Sequence, residues 1–125
     1  MAVIAINQQL GSGGIELGKL AAAQLGYRFI TTAEIAAETA RRFNVSAEHL
    51  KVIDERLPHF WERMRTDMRR LDAFFRAVAL EEMAADRTVA VGRFIALHLP
   101  EGSAGLRVRT VGAFAERVTR TAAEE

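Results

Sequence analysis

Apolar positions along the chain fall into two kinds of run. Ala2-Val3-Ile4-Ala5-Ile6 and Thr88-Val89-Ala90-Val91-Gly92 are short, apolar almost throughout and rich in β-branched residues, as expected of strands buried on both faces of a parallel sheet. The longer runs repeat at three- and four-residue steps and read as amphipathic helices. The first such helix carries Ile15, Leu20, Ala21, Ala23 and Leu25 as its apolar face, turns Lys19 and Gln24 outward, and stops at Gly26. Tyr27 to Ile30 predicts a short second strand or extended edge. Thr31-Thr32-Ala33-Glu34 has the form of a capping box, which opens a helix through about Phe43. Its inner face is Ile35, Thr39, Ala40 and Phe43, its solvated face Glu38, Arg41 and Arg42, and Asn44 its left-handed stop. Ser46 is the N-cap of a short helix with Leu50 and Ile53 inward, broken by Pro58.

The longest periodic segment runs from Trp61 to about Ala85, with Met64, Met68, Leu71, Phe75 and Val78 on one face. Asp67 with Arg70 and Asp72 with Arg76 pair across a turn on a solvated face. Phe74 beside Phe75 widens the apolar surface, so another layer should cover this helix. After the strand at 88–92, Phe94 to Leu99 forms an apolar turn or short helix, and 100–105 a loop. Leu106 to Val111 is a strand candidate with Arg107 and Arg109 on one side. A last helix begins near Ala113, with Phe114, Val118 and Ala122 inward and Glu116, Arg117 and Arg120 outward. Strands alternating with helices predict an α/β fold, a parallel sheet with helices on both faces.

The segment joining the first strand to the first helix, Asn7-Gln8-Gln9-Leu10-Gly11-Ser12-Gly13-Gly14-Ile15-Glu16, is the candidate for chemistry. Glycines let a backbone approach a phosphate closely, and the free N–H groups and positive end of the following helix favour its charge. Two frames compete. Gly13 to Leu20 nearly satisfies the G-x-x-x-x-G-K-[ST] phosphate-loop pattern, with Gly13, Gly18 and Lys19 in place and Leu20 at the Ser/Thr position. That frame buries the loop inside the helix, so the frame with the loop at Leu10, Gly11, Ser12, Gly13 and Gly14 is preferred. It sets Ile15 at the lysine position and Glu16 at the magnesium-binding Ser/Thr position. A flexible glycine turn without a ligand is the alternative on local grounds. Arg93, at the end of a buried strand, stands where ligands bind in parallel α/β sheets.

Composition narrows the classes. A chain of 125 residues suggests one domain, and its 50% hydrophobic and 26% charged residues are ordinary for a globular protein. The net charge of +1 gives no broad field for nucleic acid or an anionic membrane, so an anion site must be local. Arginines are balanced by acids along the same helices, which argues against nucleic-acid binding. With no cysteine, disulfides, thiolate zinc sites and thiol catalysis are excluded. No apolar stretch approaches the roughly 20 residues that span a bilayer; the N-terminus lacks a signal-type charged region, and a cytoplasmic location is expected. His49, His59 and His98 are far apart without metal-ligand spacing, and Ser12 has no histidine or acid beside it that would mark a nucleophile.

Several segments together resemble a known family. Ala5 to Ala21, with its Gly11-Ser12-Gly13-Gly14 loop, looks like the opening of the cytidylate-kinase-like family of P-loop kinases. Ala40-Arg41-Arg42-Phe43-Asn44-Val45-Ser46 and the segment from Ile53 to Arg63 are similar to family segments in the same order. Val89-Ala90-Val91-Gly92-Arg93 matches the family's strand-Gly-Arg motif, and Ala113 to Arg120 resembles the helix leading to the lid. The resemblance implies a three-layer P-loop kinase-type α/β fold in a single domain, 1–125, with a helical, acceptor-binding insert at about 31–85, incomplete at the C-terminus.

By that resemblance, the chain is an ATP-dependent nucleoside monophosphate kinase using Mg2+, with a small-molecule nucleotide as its partner. ATP phosphates would lie on Leu10, Gly11, Ser12, Gly13, Gly14, Ile15 and Glu16. Arg93 aligns with an arginine that contacts the acceptor phosphate, and Arg117 with one near the lid. Phosphoryl transfer needs aligned phosphates and positive groups around the transferred oxygens, a role suited to the planar arginine fork. The chain departs from the family pattern in three ways. Ile15 stands where many members carry arginine or another polar residue. Phe94 replaces the acid that helps read cytosine, leaving base preference open. The sequence stops at Ala122-Ala123-Glu124-Glu125, ahead of the basic lid and final strand. The alternative is a catalytically inactive nucleotide-binding or protein-interaction domain on the same fold.

Overall fold

In the computed structural model, the described residues are 2–44, 65–92, 95–99, 101–102 and 104–124, with 65–68 described by backbone alone. The apolar run near the N-terminus forms strand β1, Val3–Gln8, two residues longer at its polar end than its apolar stretch predicts. It is followed by helix α1 (Gly14–Leu25), strand β2 (Arg28–Thr31) and helix α2 (Thr32–Phe43). Helix α3 (Arg65–Ala84), strand β3 (Thr88–Gly92), a short 3-10 helix (Ile95–His98), strand β4 (Leu106–Thr110) and helix α4 (Phe114–Glu124) complete the order. The Ser46 helix, Leu50, Ile53, Met64, the Met68 side chain, His49 and His59 lie outside the described residues.

The sheet is parallel throughout, in the order β2-β3-β1-β4. Asn7 pairs with Gly92, Gln8 with Thr110, and Thr31 with Val91, so the C-terminal ends of all four strands share one edge. The chain leaves β1 for β2 on one side and leaves β3 for β4 on the other, which opens a crevice between β1 and β3 at that edge. In open α/β sheets this is where ligands bind.

Two apolar clusters lie on opposite sheet faces. Val3, Ala5 and Ala90 pack with Ile35, Phe75, Val78, Met83 and Ile95 on the α2–α3 face. Ile6, Val89 and Val91 pack with Ala22, Tyr27 and Phe29 on the α1 face. The predicted layer over α3 is α2, whose Phe43 stacks on Phe74 with centroids 4.1 Å apart. The capping box closes as its residues predict, with Glu34 N donating to Thr31 Oγ1 and Thr31 N to Glu34 Oε2. Glu38 accepts from Arg41 and Arg42, and Arg42 also pairs with Glu81 of α3. Asp72 and Arg76 do not close the predicted pair; among the described residues, α3 uses Glu81 and Glu82 for its ion pairs, the latter with Arg28 at 2.5 Å.

Two helical faces differ from the expectation. Helix α1 does not bury its large apolar residues: Ile15, Leu17, Leu20 (62% exposed), Ala23 and Leu25 face outward, and the buried line is Gly14, Gly18 and Ala22. The reason is closeness of approach. A methyl group on Gly18 would lie 2.5 Å from Val91 Cγ2 and 2.9 Å from Phe29 Cε2. A helix this close to a sheet tolerates only small residues at its contact line. Helix α4 is also turned from its predicted orientation, with Phe114 (73% exposed), Val118 and Ala122 outward and Arg117 and Thr121 half-buried.

Two outcomes follow. Gly18→Ala, which helix propensity alone would favour by about 1 kcal/mol, is expected to destabilise the fold by about 1–3 kcal/mol through overpacking, read as a lower urea midpoint at unchanged slope. Hydrogen bonds from Arg41 and then Arg42 hold the Glu38 carboxyl down at about 2. Its contribution is therefore present above the ordinary carboxylate pKa and is lost as pH falls towards about 2. Stability of Glu38→Gln should decline less steeply than that of the unchanged protein across that acid range, in pH-dependent thermal unfolding.

Candidate functional site

The loop after β1 is shaped by two glycines with left-handed backbones, Gly11 at φ 77° and Gly13 at φ 79°. Such φ values cost most residues strain and cost glycine little. Gly13 is the N-cap of α1 and receives no side-chain cap bond, so the first N–H groups of the helix are left for a ligand. Gly14 is buried against Gln8, whose Cβ would be 2.6 Å from an added methyl. The loop therefore sits directly at the C-terminal edge of the sheet, as the frame at Leu10 to Gly14 requires. In the competing frame, Gly18 and Lys19 lie within α1, Gly18 against β3 and Lys19 exposed.

β4 and the segment after it fasten this loop. Gln9 N donates to Thr110 O at 3.1 Å and Gly112 N to Gln9 Oε1 at 3.2 Å. Ser12 Oγ donates to Gln9 O and shares a 2.6 Å hydrogen bond with Thr110 Oγ1. That hydroxyl is a structural tie, in keeping with its having no base beside it. Helix α4 then lies over Gly11, where an added methyl would meet Arg117 O at 2.5 Å and Thr121 Oγ1 at 2.8 Å.

Arg117 donates from Nε to Gly112 O at 3.0 Å and from Nη1 to Leu10 O at 3.4 Å. Its guanidinium lies 5.7 Å from the Phe114 ring centroid. The fold thus brings Arg117 to the loop as a brace on its carbonyls, with Nη2 outside both bonds. Arg93 and Phe94 lie outside the described residues.

The structure adds residues that the linear pattern did not single out. Arg120 comes within 3.0 Å of the position a Gly13 methyl would take, and it lines an open pocket of about 520 Å3 with Ser12, Gly13, Glu16, Ala123 and Glu124. Helical spacing from Arg117 is its only signal in the sequence; Arg120 is exposed, as the outer face of α4 predicts, whereas Arg117 is half-buried. On the opposite sheet face, at the β1–β3 crevice, Asn7 Oδ1 is buried without a hydrogen-bond partner among the described residues. Arg109 is in register with Asn7 on β4 and is exposed. A polar residue ending an apolar strand was the available signal for Asn7. His98 is half-buried with its ring tilted on Phe75. Among the described residues, no group of three or more His, Asp or Glu is arranged to hold a metal unaided. The side-chain oxygens lining the pocket, those of Ser12, Glu16 and Glu124, are hard donors of the type that magnesium takes.

The family described as cytidylate kinase-like matches residues 3–125, nearly the whole chain. No curated protein matches it. Among the described residues, no helix is long and apolar enough to cross a membrane.

The tight seat of Gly11 gives a direct test. Gly11→Ala adds a methyl against the α4 backbone and strains a left-handed φ, so it is expected to lift α4 from the loop. Amide exchange in residues 114–124 should then accelerate by about tenfold or more, while the amides of β3 remain protected.

Proposed function

Since the chain belongs to the cytidylate kinase-like family, we propose that it acts as an ATP-dependent kinase in the cytoplasm, moving the γ-phosphoryl group to a cytidylate-like nucleoside monophosphate. The observation that carries this reading is the glycine loop at the mouth of α1. Gly11 and Gly13 turn the backbone so that α1 begins, without a side-chain cap, at the open pocket that Arg120 also lines. Backbone donors and a nearby cation are the two features a triphosphate needs, because catalysis of phosphoryl transfer is chiefly alignment and charge stabilisation.

In this reading, residues 10–16 cradle the ATP phosphates. Arg120, together with the remaining donors of Arg117, stands beside the transferred group, where a planar fork binds two oxygens at once. Arg93, which follows Gly92 at the crevice, holds the acceptor phosphate, and the segment at 31–85 shapes the acceptor side. The unpartnered Asn7 Oδ1 gives that side a hydrogen-bond acceptor. Glu16 would be the loop's oxygen donor to a Mg2+ ion bound with the nucleotide, which would supply charge neutralisation on the phosphates.

One feature favours a second reading, a nucleotide-binding domain without transfer. Ile15 occupies the lysine position and is exposed without a charge to offer. The two readings separate in one experiment. Titration with magnesium-ATP should shift the amides of Gly11, Ser12, Gly13 and Gly14 saturably, and Arg120→Ala should weaken that binding by about tenfold or more. Formation of CDP from CMP supports the kinase; saturable shifts without transfer to any nucleoside monophosphate support the binding domain. Absence of shifts at millimolar ATP overturns both.

A further inference from the structure

Glu16 stands where phosphate loops ordinarily carry a serine or threonine, and this substitution changes the charge of the site. Resting on the reading of residues 10–16 as the triphosphate cradle, we propose that Glu16 makes nucleotide binding conditional on a divalent cation. Its carboxylate takes the ion of a metal–nucleoside triphosphate complex and repels the metal-free nucleotide.

The local structure leaves this carboxylate no other partner. Glu16 is the third residue of α1, a position from which a glutamate can reach back to the N-cap backbone. Here Gly13 receives no such bond, and the Gly13 and Glu16 pair forms no capping box. Glu16 Oε2 instead lies 3.8 Å from the position of a Gly13 methyl, the same position that Arg120 Nη1 approaches to 3.0 Å. An anion and a cation thus converge on one open edge of the loop. Among the described residues, the carboxylate joins no ion pair or hydrogen bond, and the Arg28, Arg41 and Arg42 pairs lie elsewhere.

The charges facing Glu16 come from both elements around the pocket. α1 contributes Glu16 itself and its positive helix end, and α4 contributes Arg120 and Glu124. Glu16 and Glu124 oppose Arg120 and the helix end, so a polyphosphate without its metal meets repulsion at the Glu16 edge of the pocket. A divalent ion reverses that balance, because it cancels phosphate charge and offers the carboxylate a hard cation. Magnesium is commonly bound in this way, through one or two carboxylates together with phosphate oxygens. A serine hydroxyl in the same place could ligate the ion, yet it would not repel nucleotide in the ion's absence. Conditionality is therefore the property specific to glutamate here.

The test compares ATP affinity in excess Mg2+ with affinity in EDTA, by calorimetry or amide shifts, for the unchanged protein, Glu16→Gln and Glu16→Ser. The unchanged protein is expected to bind ATP roughly 10- to 100-fold more tightly with Mg2+. In Glu16→Gln that ratio should collapse towards unity, mainly through tighter binding of metal-free ATP. Glu16→Ser should gain the same metal-free affinity while keeping part of the Mg2+ preference. With Mn2+ in place of Mg2+, paramagnetic broadening should centre on the amides of residues 15–17 in the ATP complex and weaken in Glu16→Gln. Equal ratios in the unchanged protein and Glu16→Gln, with binding intact, overturn the role of Glu16 and leave the cradle standing. No ATP binding in either condition overturns the cradle and this proposal together. Matching circular dichroism spectra and melting midpoints of the three proteins exclude misfolding as the cause.

Discussion

The close approach of α1 to the sheet is the constraint on which the rest depends. Gly14, Gly18 and Ala22 form its contact line, and at Gly18 even one methyl would overlap Val91 and Phe29. Because the helix lies so near the strands, its first turn emerges directly at their C-terminal ends, and the chain has only residues 9–13 in which to turn. That short span is what forces Gly11 and Gly13 into left-handed conformations. Close packing and loop geometry are thus one feature, and the N–H groups at the start of α1 face the crevice edge because of it. Gly92 shows the same logic on the other face, where an added methyl would collide with the side chain of Thr32 at the start of α2.

The sequence was most legible where a local rule decided the outcome. The capping box at Thr31 and Glu34, the stops at Gly26 and Asn44, and the all-apolar β3 formed as their residues predict. Each depends on neighbours within a few positions, so little tertiary information was needed. The parallel sheet with helices on both faces followed from the alternation of such elements. The glycine turn between β1 and α1 was legible because strand, glycines and helix are contiguous.

Helix faces were less legible, for two physical reasons. Size overrode hydrophobicity in α1, where the periodic leucines mark the outer surface and the glycines mark the contact. In α4, the partner is a polar loop rather than an apolar core. Thr121 and Arg117 therefore face inward, with Arg117 satisfying the carbonyls of Leu10 and Gly112, while Phe114 and Val118 lie outside. A rule that places apolar residues inward reads such a helix roughly a quarter turn away from its true orientation. The exposed setting of Arg120 was legible, but its approach to Gly13 was not, since that depends on where α4 docks; the isolation of Asn7 Oδ1 is likewise a property of the strands packed around it.

The orientation of α4 also decides how charge reaches the loop. In the ordinary phosphate loop, a lysine and a hydroxyl on the loop's own helix supply the cation and the metal ligand. Here those positions hold Ile15 and Glu16, so α1 brings an anion, and the cation nearest the glycines is Arg120, more than a hundred residues later. Arg120 sits there only because α4 rests on Gly11 and is fastened through Arg117, while Gln9, Ser12 and Thr110 tie the loop to β4. The presence of a cation at the loop is therefore a tertiary property, held by hydrogen bonds between segments distant in sequence. A displacement of α4 would take Arg120 and Glu124 from the loop while leaving Glu16 in place, so the loop would keep an anion and lose its nearest cation. On the proposed reading of the loop as an anion cradle, docking of the last helix and affinity for the anion are one linked equilibrium, since binding at the loop would also favour the arrangement that holds Arg120 beside it.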